Sequence, residues 1–217
     1  MDNFILQKYV KFHLGSKNMY AHVDALHACP PQHDKFTGKI VEGIVKETNC
    51  SSIIATVSRK KVDINRPRNK KNCEAIDEYR DIIKQILEHL DIINNYGGLS
   101  RPYLHLAIHG MKDEYNKDIE IGTRCGATCS ENIKDWLVEG LMESIKSVGI
   151  DKTFPGDLSK SVHRLGNLNS NQNYPGYAKN FNTIQLELSL NLRQNHRKEI
   201  IKIISDLILK FCNFFQH

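Results

Sequence analysis

The chain has 217 residues, 40% of them hydrophobic and 25% charged, which excludes a disordered or fibrous protein and suffices for one domain with its own core. Its 30 lysines and arginines against 25 aspartates and glutamates leave a net charge of +5. That is a modest excess for a dedicated nucleic-acid binder, and the one dense basic cluster, Arg59 to Lys71, is interrupted by Asp63.

The N-terminus, Met1 to Leu6, is too short and too polar for a signal peptide or a membrane span, so the expected location is the cytoplasm, with no membrane partner. A first strand is expected over 19–26. Helical spacing of Ile40, Val41, Ile44 and Val45 predicts a helix over 38–48, and the β-branched run 52–57 a strand. Residues 61–65 read as a strand end that Pro67 prevents from continuing. The stretch 75–93 is an amphipathic helix stopped by Asn94-Asn95-Tyr96-Gly97-Gly98.

Strands follow over 103–108 and 119–122. Ser130 is placed to cap a helix running through Trp136, Leu137, Leu141 and Ile145 toward Gly149. Glycines, prolines and asparagines make 151–182 a region of long loops, in which Arg164, Tyr174 and Tyr177 are candidates to close over a ligand. A strand over 183–190 and a helix over 197–215 close the chain. Strands alternating with helices, without repeats or a linker, predict a single domain over 1–217, an α/β sandwich with a mixed, mostly parallel sheet.

The six cysteines, at 29, 50, 73, 125, 129 and 212, are scattered, as free thiols of a reducing compartment would be. Cys125 and Cys129 form one C-x3-C pair, short of the four ligands of a structural zinc site. Histidines carry more. His109 ends the apolar run Tyr103 to Ile108 and precedes Gly110, which sets an imidazole at the rim of a sheet, where α/β proteins bind metals and substrates. Catalytic zinc commonly takes two histidines and a carboxylate and leaves a position for water. His27, just past the first strand, and either His33 or Asp34, after the Pro30-Pro31 turn, could complete such a set. His105 shares a strand face with His109 and competes with it.

Glu187 interrupts the apolar run 184–190 and shares a face with Gln185 and Ser189. It is either part of a solvated sheet face or a general base aimed into a cavity. Asp63-Ile64-Asn65-Arg66 offers a guanidinium fork and an amide to a carboxylate, or else is a turn before Pro67. Gly122-Thr123-Arg124-Cys125-Gly126 brings a second arginine in a loop that a ligand could approach closely.

Taken in chain order, the strand leading to His27, Val62-Asp63-Ile64-Asn65-Arg66-Pro67, Ala107-Ile108-His109-Gly110, Ile121-Gly122-Thr123-Arg124, Phe154-Pro155-Gly156 and Ile184-Gln185-Leu186-Glu187-Leu188-Ser189 resemble the N-formylglutamate amidohydrolase family. That family belongs to a broader group similar to zinc carboxypeptidases, and the resemblance extends to phage-type poly-γ-glutamate hydrolases, where the acidic ligand precedes a threonine as Asp34 precedes Thr37. It implies a three-layer sandwich and a zinc ion (Zn2+) held by His27, Asp34 and His109. It also implies Glu187 as base, with Asn65 and Arg66, helped by Arg124, recognising a small acidic acyl-amino-acid or γ-glutamyl substrate or polarising its amide. The chain departs from the pattern in the extra residues between His27 and Asp34, in the use of Asp rather than Glu, and in Leu26 and Ala28 flanking His27. A non-catalytic ligand- or metal-binding protein on the same scaffold is the alternative, and nucleic-acid binding through 59–71 a weaker third reading.

Overall fold

A computed structural model describes residues 4–156, 158–166 and 174–215, excepting the side chains of 158–161. Eight strands form one sheet: β1 (Ile5–Leu6), β2 (Val10–His13), β3 (Ala21–Ala25), β4 (Ser51–Ala55), β5 (Tyr103–Gly110), β6 (Ile119–Gly122), β7 (Val148–Ile150) and β8 (Phe181–Leu188). Their order across the sheet is β1-β2-β4-β3-β5-β8-β6-β7. The middle four, β4, β3, β5 and β8, are parallel, β2 and β6 run antiparallel to their inner neighbours, and β7 is parallel to β6. The sheet is therefore mixed and mostly parallel at its centre.

Helices α1 (Thr37–Thr48), α2 (Cys73–His89), α3 (Glu131–Met142), α4 (Leu158–Leu165), α5 (Leu190–Gln194) and α6 (Arg197–Phe214) cover it. One face is largely apolar. Val23, Leu104, Leu106, Ile108, Ile184, Leu186 and Leu188 pack there against α1, α3 and α6. The other face packs Phe12, Ile53, Tyr103 and Phe181 against α2, but between these most of its positions are polar: Asp24 on β3, His105 and His109 on β5, and Thr183, Gln185 and Glu187 on β8, all buried. Alternation along each strand explains the division, since residues two apart share a face.

The expected elements are present with shifted ends, and four short ones were not legible: β1, β2, β7 and α5. Three expectations need correction. Residues 63–66 are a turn, not a strand end, because β4 stops at Ala55 and the Asp63 carboxylate accepts a hydrogen bond from the Asn65 amide at 2.9 Å. The region 151–182 contains α4 and a short 3-10 turn at Ala178–Asn180, while residues 157 and 167–173 of it lie outside the described residues. Ser130 does stand at the head of α3, but its hydroxyl accepts from Arg164 at 3.2 Å instead of capping the helix.

No helix among the described residues is long and apolar enough to cross a membrane. The central strands set stability. Ile108→Ala should cost about 2–5 kcal/mol in chemical denaturation because a fully buried side chain is lost from β5. Leu6→Ala, at the exposed sheet edge, should stay within about 0.5 kcal/mol.

Candidate metal centre

The C-terminal ends of β3, β5 and β8 lie side by side, and the site is built on that rim. His27 follows β3 by two residues. The loop after it returns to the same edge, held by the Asp34 amide donating to the His27 carbonyl at 2.8 Å and by the Thr37 hydroxyl donating to the Asp34 carbonyl at 2.8 Å. His109 is the penultimate residue of β5 and stands in register with Glu187 of β8.

This geometry brings His27, Asp34 and His109 together, one donor atom from each lying within 4.8 Å of the others. Asp34 Oδ2 is 3.5 Å from His27 Nδ1, 3.4 Å from His109 Nδ1, and accepts the Gly110 amide at 3.1 Å. All three side chains are buried. Asp34 faces the rim and His33 does not join this group, so the carboxylate is the residue brought to the two imidazoles.

Asp63 fixes the ring of His27. Its carboxylate pairs with Nε2 at 2.9 Å, which assigns the proton to Nε2 and leaves the Nδ1 lone pair facing Asp34. A carboxylate behind a ligating imidazole orients it in this way and raises its basicity. Burial opposes charge on both Asp34 and His27. The adjacent imidazoles of His109 and His27 nonetheless hold the Asp34 carboxyl well below the usual carboxylate range, and the carboxylates of Asp34 and Asp63 push His27 up. Burial, and secondarily the Asp34 charge, push Glu187 upward against the opposing influence of His109 and His27. Gln185 donates to its Oε1 at 2.9 Å.

A second group of metal-capable residues lies deeper on the same face: His22, Asp24 and His105. Several of its atoms are engaged otherwise. Asp24 Oδ2 accepts from the Tyr79 hydroxyl at 2.6 Å and pairs with His105 Nε2 at 2.8 Å, while His105 Nδ1 meets Thr183 and His22 Nδ1 meets Tyr103. The two imidazoles are stacked 4.0 Å apart with 10° between their planes. Lone pairs lie in the ring plane, so parallel rings cannot converge on one ion. The rings of His27 and His109 are inclined at 77°. Two borderline nitrogens with one hard oxygen are a zinc-type donor set. The rim group fits a metal and the deep group does not.

The remaining expected residues are distributed differently. Asn65 is buried, and its Oδ1 has no hydrogen-bond partner among the described residues. The Arg66 side chain is 58% exposed, with Nε 3.6 Å from Asp63 Oδ2. Arg124 is not beside the three ligands: β6 runs antiparallel to β8, so Gly122 faces Gln185 and Arg124 lies toward the Thr183 end. Arg59 is the cation nearest the ligands, its Nη1 2.9 Å from His27 Nδ1 and its Nη2 3.6 Å from Asp34 Oδ1. In the sequence it is only the first residue of a basic run. All six cysteines are free, and Cys125 and Cys129 belong to no metal-capable group among the described residues.

Most of the chain can be laid over solved structures. N-formylglutamate amidohydrolase from Ralstonia eutropha JMP134 matches with a TM-score of 0.68 at 14% identity, over 96% of this chain and 98% of that one. The chain has the N-formylglutamate amidohydrolase fold. A bacteriophage poly-gamma-glutamate hydrolase matches with a TM-score of 0.53 at 15% identity, over 94% and 88% of the two chains. The zinc-free form of a protein named YndL matches with 0.52 at 15% identity, over 93% and 89%. No family model matches the sequence, and no curated protein does. The three-layer sandwich expected from the resemblance is thus the observed fold.

The raised pKa of Glu187 has a stability consequence. The folded protein favours the neutral carboxyl, so this contribution is present at low pH and is lost as pH rises through the folded-state pKa. In the metal-free protein Glu187→Gln should therefore raise the melting temperature by a few degrees at pH 7, and the gain should vanish below about pH 4, where glutamate is protonated in both states. Thermal denaturation of both proteins across that range checks it.

Proposed function

We propose that this chain is a zinc-dependent amidohydrolase that cleaves the amide bond of a small acidic N-acyl amino acid, such as N-formylglutamate, or of a γ-glutamyl substrate. The observation that carries this reading is the rim itself: two buried imidazoles and a buried, ionised carboxylate, with Glu187 in register beside one of them. The amide-cleaving activities named for two proteins of the same fold support the reaction class. The six free thiols suit a reducing, cytoplasmic setting.

His27, Asp34 and His109 would hold the ion, which would supply Lewis acidity to a water molecule and to the amide carbonyl. Glu187 takes the proton of the attacking water and returns it to the leaving amine. Its burial disfavours the carboxylate, which raises its basicity toward what that exchange requires at neutral pH. Asp63 holds His27 in the tautomer that presents Nδ1. Arg66 and Asn65 meet the substrate carboxylate and the scissile carbonyl at the rim, and Arg59, nearest the ligands, offsets negative charge developing on the carbonyl oxygen. Arg124, toward the Thr183 end of β8, binds a distal carboxylate.

Glu187 distinguishes an enzyme from a binding protein on this scaffold, because a carboxylate beside the ligand set but outside it has little use in binding alone. Purified protein should carry about one zinc per chain. His109→Ala should lose the metal. Glu187→Gln should keep it and lose about 10²–10⁴-fold in kcat, read by amine release from N-formylglutamate and γ-glutamyl peptides. Absence of turnover on every such substrate at full zinc occupancy would transfer the assignment to a metal-binding protein without catalysis.

A further inference from the structure

Arg193, in the short helix α5, is buried to 4% exposure although it carries a full positive charge. No carboxylate touches it in the described structure. Its guanidinium instead donates to three backbone carbonyls: Nε to Leu188 at 3.0 Å, Nη1 to Lys35 at 2.6 Å and Nη2 to Met111 at 2.8 Å. Those carbonyls are not scattered. Leu188 follows Glu187, Lys35 follows Asp34, and Met111 lies two residues after His109. One planar fork thus ties together the chain segments that carry the base, the carboxylate ligand and one imidazole ligand. The same Leu188 carbonyl also accepts the Met111 amide at 2.9 Å, so the clamp continues the β5–β8 ladder beyond its last paired residues.

Gly110 gives the fork its space. A Cβ built there would lie 2.5 Å from Arg193 Cζ and 2.7 Å from Nη1, closer than real side chains tolerate. The Gly110 amide meanwhile donates to Asp34 Oδ2 at 3.1 Å. This glycine lets Asp34 and Arg193 approach the end of β5 from two sides. A lysine could not replace the arginine, because one ammonium on a flexible stem cannot reach three carbonyls that diverge in the plane of the guanidinium.

We infer that Arg193 is the positioning residue of the metal centre: its guanidinium, seated against Gly110, fixes the three strand-end segments at the spacing that lets Asp34 and His109 act on one ion with Glu187 alongside. This rests on the zinc reading above but makes a claim about the metal-free chain as well. It separates Arg193 from the arginines considered for substrate, because the guanidinium faces backbone rather than the open rim.

The test uses Arg193→Lys and Gly110→Ala in the full chain, with Leu141→Ala on α3 as a control that destabilises the fold away from the rim. Zinc affinity is measured by competition with a chromogenic chelator. The side-chain nitrogen resonances of His27, His109 and His105 are recorded by NMR on metal-free protein. Arg193→Lys should weaken zinc binding about 10–100-fold, the range for loss of outer-shell support, and Gly110→Ala should do the same. Both should shift or average the His27 and His109 resonances while His105 stays in place. Leu141→Ala should lower the melting temperature without changing zinc affinity. Unchanged zinc affinity and unmoved His27 and His109 signals in Arg193→Lys would overturn the inference, as would a loss of affinity in Leu141→Ala equal to that in Arg193→Lys. Should Arg193→Lys fail to fold, Gly110→Ala carries the same comparison. If the wild-type protein binds no zinc, the enzymatic reading fails, and the histidine resonances still decide whether Arg193 holds the rim.

Discussion

The pairing of β5 with β8 is the constraint on which the rest of the structure depends. It sets Leu106 beside Ile184 and Ile108 beside Leu186 on one face, and His105 beside Thr183 and His109 beside Glu187 on the other. A slip of one residue would turn Glu187 into the apolar layer under α3 and α6 and leave His109 beside a leucine, Leu186 or Leu188. The leucines and isoleucines of the first face therefore do more than bury area. They make the slipped register prohibitively costly and so hold an imidazole and a carboxylate together at the rim.

The polar face shows two uses of the same residue types. Deep in the sheet, His22, Asp24, His105, Tyr79, Tyr103 and Thr183 form a buried hydrogen-bonded layer. Burying such groups is tolerable only where hydrogen bonds replace those to water. At the rim the corresponding layer leaves donor atoms directed toward one another across a small space, with Asp34 accepting from backbone and facing both imidazoles. Asp63 behind His27, and Arg193 behind the strand ends, supply order without entering that space.

Much of this was legible in the sequence, for reasons that differ between residues. The strands β3, β5 and β8 and the helices α1, α2 and α6 announce themselves by periodicity. His27 and His109 stand out as polar residues just past or at the end of an apolar run and Glu187 as one that interrupts such a run, whereas Asp34 is singled out from His33 only by the resemblance. β7 has three residues, α5 has five, and β1 pairs only Ile5 and Leu6, lengths at which no period can be read. Asp63 was legible as a turn former, and its contact with His27 depends on where a loop folds 36 positions away. Arg193 reaches a carbonyl 158 positions distant, and nothing in its neighbourhood signals that. Arg66 was singled out as a guanidinium fork at an expected strand end, but the turn that Asp63 closes leaves its side chain largely exposed, while Arg59 turns inward.

The central claim is that, among the described residues, the rim is the metal centre. An anomalous-difference map from a crystal of zinc-loaded protein, collected on both sides of the zinc absorption edge, tests it most directly. The account predicts one strong peak bounded by His27 Nδ1, Asp34 and His109 Nδ1, with Glu187 close by and outside the coordination sphere. A peak among His22, Asp24 and His105, a peak at Cys125 and Cys129, or full-length protein at saturating zinc with no peak at the rim would contradict it.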